Sequence, residues 1–288
     1  MSARPVLRSR LARERSERAL SLLQNCQFCA HRCGANRLQG ETGPCHAGVE
    51  ARVFHYQTEV GDEAELAPLF AIAFSGCDLR CDFCNTGAES WNPRAGDSVI
   101  SGLDCPGLRF LAQRAEHALN QGARGIMILG GEPTVHLPAA LALAAQLPEH
   151  ARLIWKTNAH GSGVARELLE GVFDVWVADF KFGQNGCAKR LARVPRYVET
   201  VQENLLWAAR QAELIVRHLL MPGHVHCCWK PVAEWLAGNL PETKVSLRSG
   251  FWPGWHSRRH EELRATTSPA DEREAFQLAR SLGLNLIP

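Results

Sequence analysis

No stretch of this 288-residue chain approaches the roughly 18 to 20 consecutive apolar residues that a membrane-spanning helix needs. Net charge is almost missing as well. The 32 Lys and Arg against 30 Asp and Glu leave a formal +2, which gives the whole molecule no pull toward nucleic acid or an anionic membrane. Residues 1–24, "MSARPVLRSRLARERSERALSLLQ", lack the apolar core of a secretory signal. They are Arg-rich and amphipathic like an organellar transit peptide, but such peptides are poor in acids and this one carries Glu14 and Glu17. A solvated amphipathic helix on a cytoplasmic protein is the expectation. There is no long internal repeat.

What the chain does have is cysteine. Seven of its eleven lie between positions 26 and 84, and such clustering in a reducing compartment points to metal or redox chemistry, not to a disulfide framework.

Short apolar runs bounded by turn residues read as buried strands at 69–74, 125–130, 152–157, 172–180, 214–221 and 244–249. Helical patterns separate them at 107–121, 137–147, 163–170, 199–212 and 229–238. A closing helix opens at Ser268 with Pro269 in its first position. Six alternations imply a parallel sheet with right-handed crossovers, either an incomplete barrel or an open doubly wound sheet. Functional groups then belong at the C-terminal ends of the strands. There the sequence places "CDLRCDFC", "GGEP", "TNAHG", "DFK" and "MPGHVHCC" in turn.

Cys77, Cys81 and Cys84 follow the first strand as C-x3-C-x2-C. Three thiolates on a tight loop can hold three irons of a cubane cluster and leave the fourth open to an exogenous ligand. The alternative is a zinc knuckle whose fourth ligand comes from a distant Cys or His. Upstream, Cys26, Cys29, Cys33 and Cys45 form C-x2-C-x3-C-x11-C with Gly34, Gly40, Gly43 and Pro44 at the turns. A second iron–sulfur cluster, a structural zinc and free thiols are all compatible with that spacing. His31 and His46 are potential substitute ligands.

The triplet, with an aromatic residue before its last cysteine, resembles the signature of the radical S-adenosylmethionine (SAM) superfamily, and "GGEP" at 130–133 matches that superfamily's glycine-rich strand end. The resemblance implies a 4Fe–4S cluster on Cys77, Cys81 and Cys84, with SAM on its open iron. Reductive cleavage of SAM to a 5′-deoxyadenosyl radical and hydrogen abstraction from a substrate would follow. On this reading Gly130 and Gly131 let the backbone approach the ligand, and Glu132 holds the ammonium end of SAM. "KTNAHG" and "DFK" resemble segments of glycyl-radical activating enzymes, whose fold is a partial (βα)6 barrel. By that likeness Thr157, Asn158, Asp179 and Lys181 line the SAM site, and Arg217 and His218 become candidates facing the barrel centre.

The segments "CQFCAHRCGANRLQGETGPC", "GGEPTVHLP", "ADFKFGQNGCAKRLARVPRYVE" and "RHLLMPGHVHCCWKP" together resemble the PflX-like group, related to the pyruvate formate-lyase activating enzyme. No paired CxxC insertion follows Cys84, unlike activating enzymes with extra ferredoxin-like clusters. The expected organisation is an N-terminal helix and Cys-rich extension over 1–65 and a radical SAM partial barrel over 66–288. A flavodoxin or ferredoxin would supply low-potential electrons. His224, ahead of Cys227 and Cys228, stands as a SAM- or substrate-side group for proton or hydrogen-atom transfer. Cys187 is placed near the same face, and Cys105 is set aside as incidental. Three roles compete: hydrogen abstraction from a protein or peptide, action on a small metabolite in a cofactor pathway, and a non-catalytic metal-binding interaction protein.

Overall fold

The computed structural model describes residues 7–61, 63–99 and 106–288. Cys105 and the first six residues of the expected N-terminal helix lie outside them. In chain order the elements are α1 (Arg8–Leu22), β1 (Ala51–Glu59), β2 (Leu69–Phe74), α2 (Ala88–Trp91), β3 (Asp97–Val99), α3 (Pro106–Asn120), β4 (Ile126–Gly130), α4 (Leu137–Ala144), β5 (Leu153–Thr157), α5 (Gly163–Leu169), β6 (Val175–Asp179), α6 (Asn185–Ala192), α7 (Tyr197–Gln211), β7 (Glu213–Leu219), α8 (Lys230–Asn239), β8 (Lys244–Arg248), α9 (Pro269–Ser281) and β9 (Asn285–Leu286). One sheet contains every strand, in the order β3-β1-β2-β4-β5-β6-β7-β8-β9. From β2 to β9 the pairing is parallel, while β1 runs antiparallel to β2 and β3. The result is an open, barrel-like α/β sheet in which the six expected units form the centre.

Every residue of β2 is buried, as a parallel strand covered on both faces requires. Strand alternation divides the core. Phe70, Ile72, Trp155 and Val216 face the helical layer. Leu69, Ala71, Met127, Ile154, Val177 and Ile215 fill the concave side. Further along that concave register, two residues on, come Asp179 of β6 and Arg217 of β7, paired across the strands.

Helix α1 is not the solvated helix expected from its charge. Ala12, Ser16 and Ala19 are buried, and the Ser16 hydroxyl donates to Pro138 O at 2.8 Å. The partner explains it. Helix α4, "LPAALALA", is buried at every position, so it needs cover opposite the sheet as well as from it, and α1 supplies that cover with its small-residue stripe.

The Cys-rich segment folds back on itself through Cys26 N–H to Ala35 O and Gly34 N–H to Cys26 O, at 3.1 and 3.0 Å. It docks on the loop after β5 through Ala30 N–H to His160 O and Ser162 N–H to Phe28 O, both 2.9 Å. Arg37, buried, donates to Val135 O at 2.7 Å and Gly48 O at 2.9 Å. These bonds hold the extension against the strand ends.

Candidate active site

The loop after β2 is shaped by what surrounds its sulfurs. Gly76, at φ +80°, turns the chain out of the strand. Cys77 Sγ then receives the Leu79 amide at 3.4 Å and faces Asn158 Nδ2 at 3.7 Å. Cys84 Sγ receives the Gly87 amide and lies against Ser90 Oγ, both at 3.4 Å. The Arg80 and Asp82 amides bond Ala192 O and Leu191 O, fixing the loop to the end of α6. Burial pushes the Cys77 thiol well above its ordinary range. It pushes Cys81 up to about 12, against the charge of Lys181.

Gly130 and Gly131 have a nearer duty than ligand approach. A Cβ on Gly130, which sits at φ +146°, would lie 2.0 Å from Phe74 O, and one on Gly131 would lie 2.2 Å from Gly76 O. The Gly131 and Glu132 amides instead bond those same two carbonyls, each at 2.9 Å. The glycines thus let the end of β4 press against the cysteine loop.

Glu132 is buried at the meeting point of three strand ends. Its Oε1 accepts from Thr134 N–H at 3.1 Å, from the Thr134 hydroxyl and from the Thr157 hydroxyl at 2.9 Å. Its Oε2 accepts the Asn158 amide at 2.7 Å. Burial, with the neighbouring Asp78 charge, pushes its carboxyl up to about 7 in spite of these donors. The protein's own groups therefore occupy most of the acceptor positions on a carboxylate expected to face an ammonium.

Asp78 and His160 escaped the sequence reading. His160 Nδ1 lies 2.7 Å from Asp78 Oδ2, and Asn158 Nδ2 donates to Asp78 Oδ1 at 2.8 Å. Burial raises the Asp78 carboxyl, but the His160 bond and charge together with the Asn158 bond outweigh it and hold the group below its usual value. His31 adds its Nε2 at 3.0 Å from Asp78 O and an edge contact with the His160 ring. The only sequence signal was an acid lodged between two cysteines of the triplet, where burial demands a partner.

Asp179 and Lys181 pair with each other. Arg217 Nε stands 3.8 Å from Asp179 and 2.9 Å from Glu63, with Arg248 3.4 Å from the other Glu63 oxygen. This charged row lines the concave side beyond the apolar core. Burial opposes ionisation of both members of the first pair, yet the mutual attraction prevails, lowering Asp179 and raising Lys181. His218 points the other way, contrary to expectation. It is buried beside Trp229 in the helical layer, with Nδ1 2.7 Å from Phe180 O, and burial lowers its pKa to about 4. Adjacent strand residues face opposite sides, so Arg217 and His218 cannot both look into the barrel.

Of the upstream cysteines, Cys26, Cys29 and Cys45 are buried and Cys33 is exposed. A Cβ on Gly43 would meet Cys33 Sγ at 2.4 Å, so glycine there admits that sulfur. His224 stands among Cys187, Cys227 and Cys228.

The family model for the radical SAM superfamily matches residues 72–236, which contain the triplet loop and the ends of β4 through β7. The chain belongs to the radical SAM superfamily. The uncharacterized protein MJ0674 of Methanocaldococcus jannaschii is 30% identical over 94% of this chain and 79% of its own length. Two solved structures share the fold at 16% identity. They are Streptococcus suis SuiB bound to the precursor peptide SuiA, with a TM-score of 0.53, and SuiB bound to S-adenosylmethionine, with 0.52. Each match covers 73% of this chain, but only 46% and 47% of theirs, so this radical SAM protein spans a little under half their length.

A 4Fe–4S cluster and SAM are the cofactors of a radical SAM enzyme, and the residues at the end of β2 fit them. Burial raises the Cys77 and Cys81 thiols, and a bound cationic metal would offset that cost by stabilising them as thiolates. The amide and hydroxyl contacts around Cys77 and Cys84 suit sulfur ligands of a cluster. Among the described residues, no helix is long and apolar enough to cross a membrane.

Proposed function

We propose that this radical SAM enzyme abstracts hydrogen from a protein or peptide laid across the open end of the barrel, in the manner of the activating enzymes and the PflX-like group. In this reading Cys77, Cys81 and Cys84 each hold one iron. Thr157 and Asn158 keep Glu132 oriented beside them, and Asp179, Lys181 and Arg217 offer charge along the concave wall. When bound, the cluster and SAM supply a 5′-deoxyadenosyl radical by reductive cleavage. A flavodoxin or ferredoxin would deliver the electron. Cys26, Cys29, Cys33 and Cys45 would take a second centre, an iron–sulfur cluster or zinc, beside the first.

The observation that carries the macromolecular substrate is an aromatic platform at the triplet loop. Trp252 is 68% exposed and Trp255 40%, and the Trp255 ring lies 3.2 Å from where a Cβ on Gly87 would stand. Trp255 packs edge-on to Trp91, and Arg193 covers the Trp91 ring. Exposed tryptophans grouped near a reactive loop are the kind of surface that grips a polypeptide. SuiB, of the same fold, binds a precursor peptide.

A cleft of about 480 Å³ favours a second reading, action on a small metabolite. His31, Arg32, His160, Arg166 and Arg196 line it together with Glu199 and Glu203, a wall of mixed charge and of a size suited to a small polar molecule. Anaerobically reconstituted enzyme with SAM and dithionite separates the two. A persistent organic radical on a partner polypeptide, weakened by Trp252→Ala and Trp255→Ala, supports the first. Deuterium passing into 5′-deoxyadenosine from a labelled small molecule, with no dependence on the tryptophans, replaces it with the second.

A further inference from the structure

A second convergence of ligands lies at the same end of the sheet, on elements that the radical chemistry does not explain. Cys187 stands in the first turns of α6. His224, Cys227 and Cys228 stand on the turn after β7, where residues Val225–Trp229 form a π-helical turn. The Sγ atoms of Cys187, Cys227 and Cys228 and one nitrogen of His224 all lie within 4.8 Å of one another. His224 Nδ1 is 3.2 Å from Cys227 Sγ and 3.4 Å from Cys228 Sγ, and the two sulfurs are 3.9 Å apart.

We propose that Cys187, His224, Cys227 and Cys228 form a closed Cys3His site for one divalent ion of the zinc type. A tetrahedral ion with Zn–S bonds of about 2.3 Å sets its sulfurs about 3.8 Å apart and its nitrogen roughly 3.5 Å from them. The observed spacings match that edge length. A cubane, in which each cysteine binds a different iron, spreads its sulfurs more widely, and within this group the sulfurs touch.

The surroundings agree. The other imidazole nitrogen, Nε2, lies 3.7 Å from Glu262 Oε1, and Glu262 is itself paired with Arg190. At that distance Glu262 makes no hydrogen bond, but its charge favours a proton on Nε2 and so leaves Nδ1 to face the ion. Gly183 faces the site with its amide toward Cys228. A Cβ on Gly183 would meet Cys228 O at 2.4 Å, so glycine permits the close approach of the two loops. π-Helical turns are rare and cluster at functional sites, and this one points two consecutive cysteines at a single centre.

The site would act as a clamp. It joins α6, which follows Asp179 at the end of β6 and Lys181 just beyond it, to the turn after β7, so that the charged wall and the substrate edge move as one piece. Four protein ligands leave no open position, which makes this a structural site.

Metal analysis of the enzyme purified with zinc present tests it. The Cys77→Ala, Cys81→Ala, Cys84→Ala variant is expected to keep the zinc, and the Cys187→Ser, Cys228→Ser variant to lose one equivalent per chain. Unchanged zinc in the latter overturns the site. The native chain answers without any substitution. With zinc bound, Cys187, Cys227 and Cys228 should resist alkylation until a chelator is added, as read by peptide mass spectrometry. Alkylation of these three that is indifferent to chelator, or their recovery as a disulfide, refutes the proposal.

Discussion

At the end of β2, Cys77, Cys81 and Cys84 are strung along one loop, with separate donors for Cys77 and Cys84 and a wall of foreign strand ends around them. At the ends of β6 and β7, by contrast, three sulfurs from two elements crowd round one imidazole. Both places use cysteine, both sit at the C-terminal end of the same parallel sheet, and burial acts on both. The difference lies in how many ligands converge. On the proposed reading, the first arrangement would leave a coordination position for something that arrives and the second would leave none. One sheet would then carry a reactive centre and a structural one a few strands apart, held by loops that differ in reach.

The comparison can be broken most strongly at its backbone. Gly130→Ala forces a Cβ against Phe74 O, at a φ of +146° that side chains rarely adopt. It should cost about 3 to 5 kcal/mol in chemical denaturation and loosen the cysteine loop. A loss below about 1 kcal/mol would mean that β4 does not buttress the loop as described.

Next comes pH. The Glu132 carboxyl titrates near 7 in the folded chain, against an ordinary 4.5. Between those values the folded state holds a proton that the unfolded state has lost, so stability falls as pH rises from about 4.5 to 7 and levels off above. The difference amounts to about 3 kcal/mol. Denaturation of the metal-free chain across this range should show that slope, and Glu132→Gln should remove it. An identical slope in the variant would mean Glu132 is ionised throughout.

Asn158→Ala strips Asp78 Oδ1 of its donor and the His160 amide of its acceptor. A buried loss of that kind costs about 2 kcal/mol and should lower the iron bound at the triplet, while leaving zinc at the Cys187 group untouched. Equal loss of both metals would contradict the independence of the two sites. Smallest of all, Trp252→Ala, on an exposed side chain, should change stability by less than about 0.5 kcal/mol while weakening turnover of a polypeptide substrate.

Much of this was readable in the sequence because parallel strands declare themselves. "LFAIAF" is apolar on both faces, and it forms β2 over the expected residues. The strand-end rule placed the triplet, Glu132, Asn158 and Asp179 at the C-terminal ends of the strands without any contact information, and they lie there. What escaped was set by pairing and packing. β1, outside the six expected strands, joins the sheet because β2 offers its edge. Helix α6, short and polar at its start, is held by the cysteine loop that bonds its last carbonyls. Asp78 and His160 are 82 residues apart in sequence and meet only when β2 and β5 are drawn into one sheet. The two glycines of "GGEP" looked like ligand contacts, since nothing in one sequence tells which backbone lies opposite. His218 could have been excluded earlier, because the alternation that turns Arg217 inward turns its neighbour outward.

The most direct test of the account compares the parent enzyme with Cys81→Ala, both reconstituted anaerobically with iron and sulfide and supplied with SAM and dithionite. The account predicts 5′-deoxyadenosine from the parent and only background from the variant, which should have lost the triplet's share of iron while keeping its zinc. Formation of 5′-deoxyadenosine by the variant at the parent's rate would contradict it.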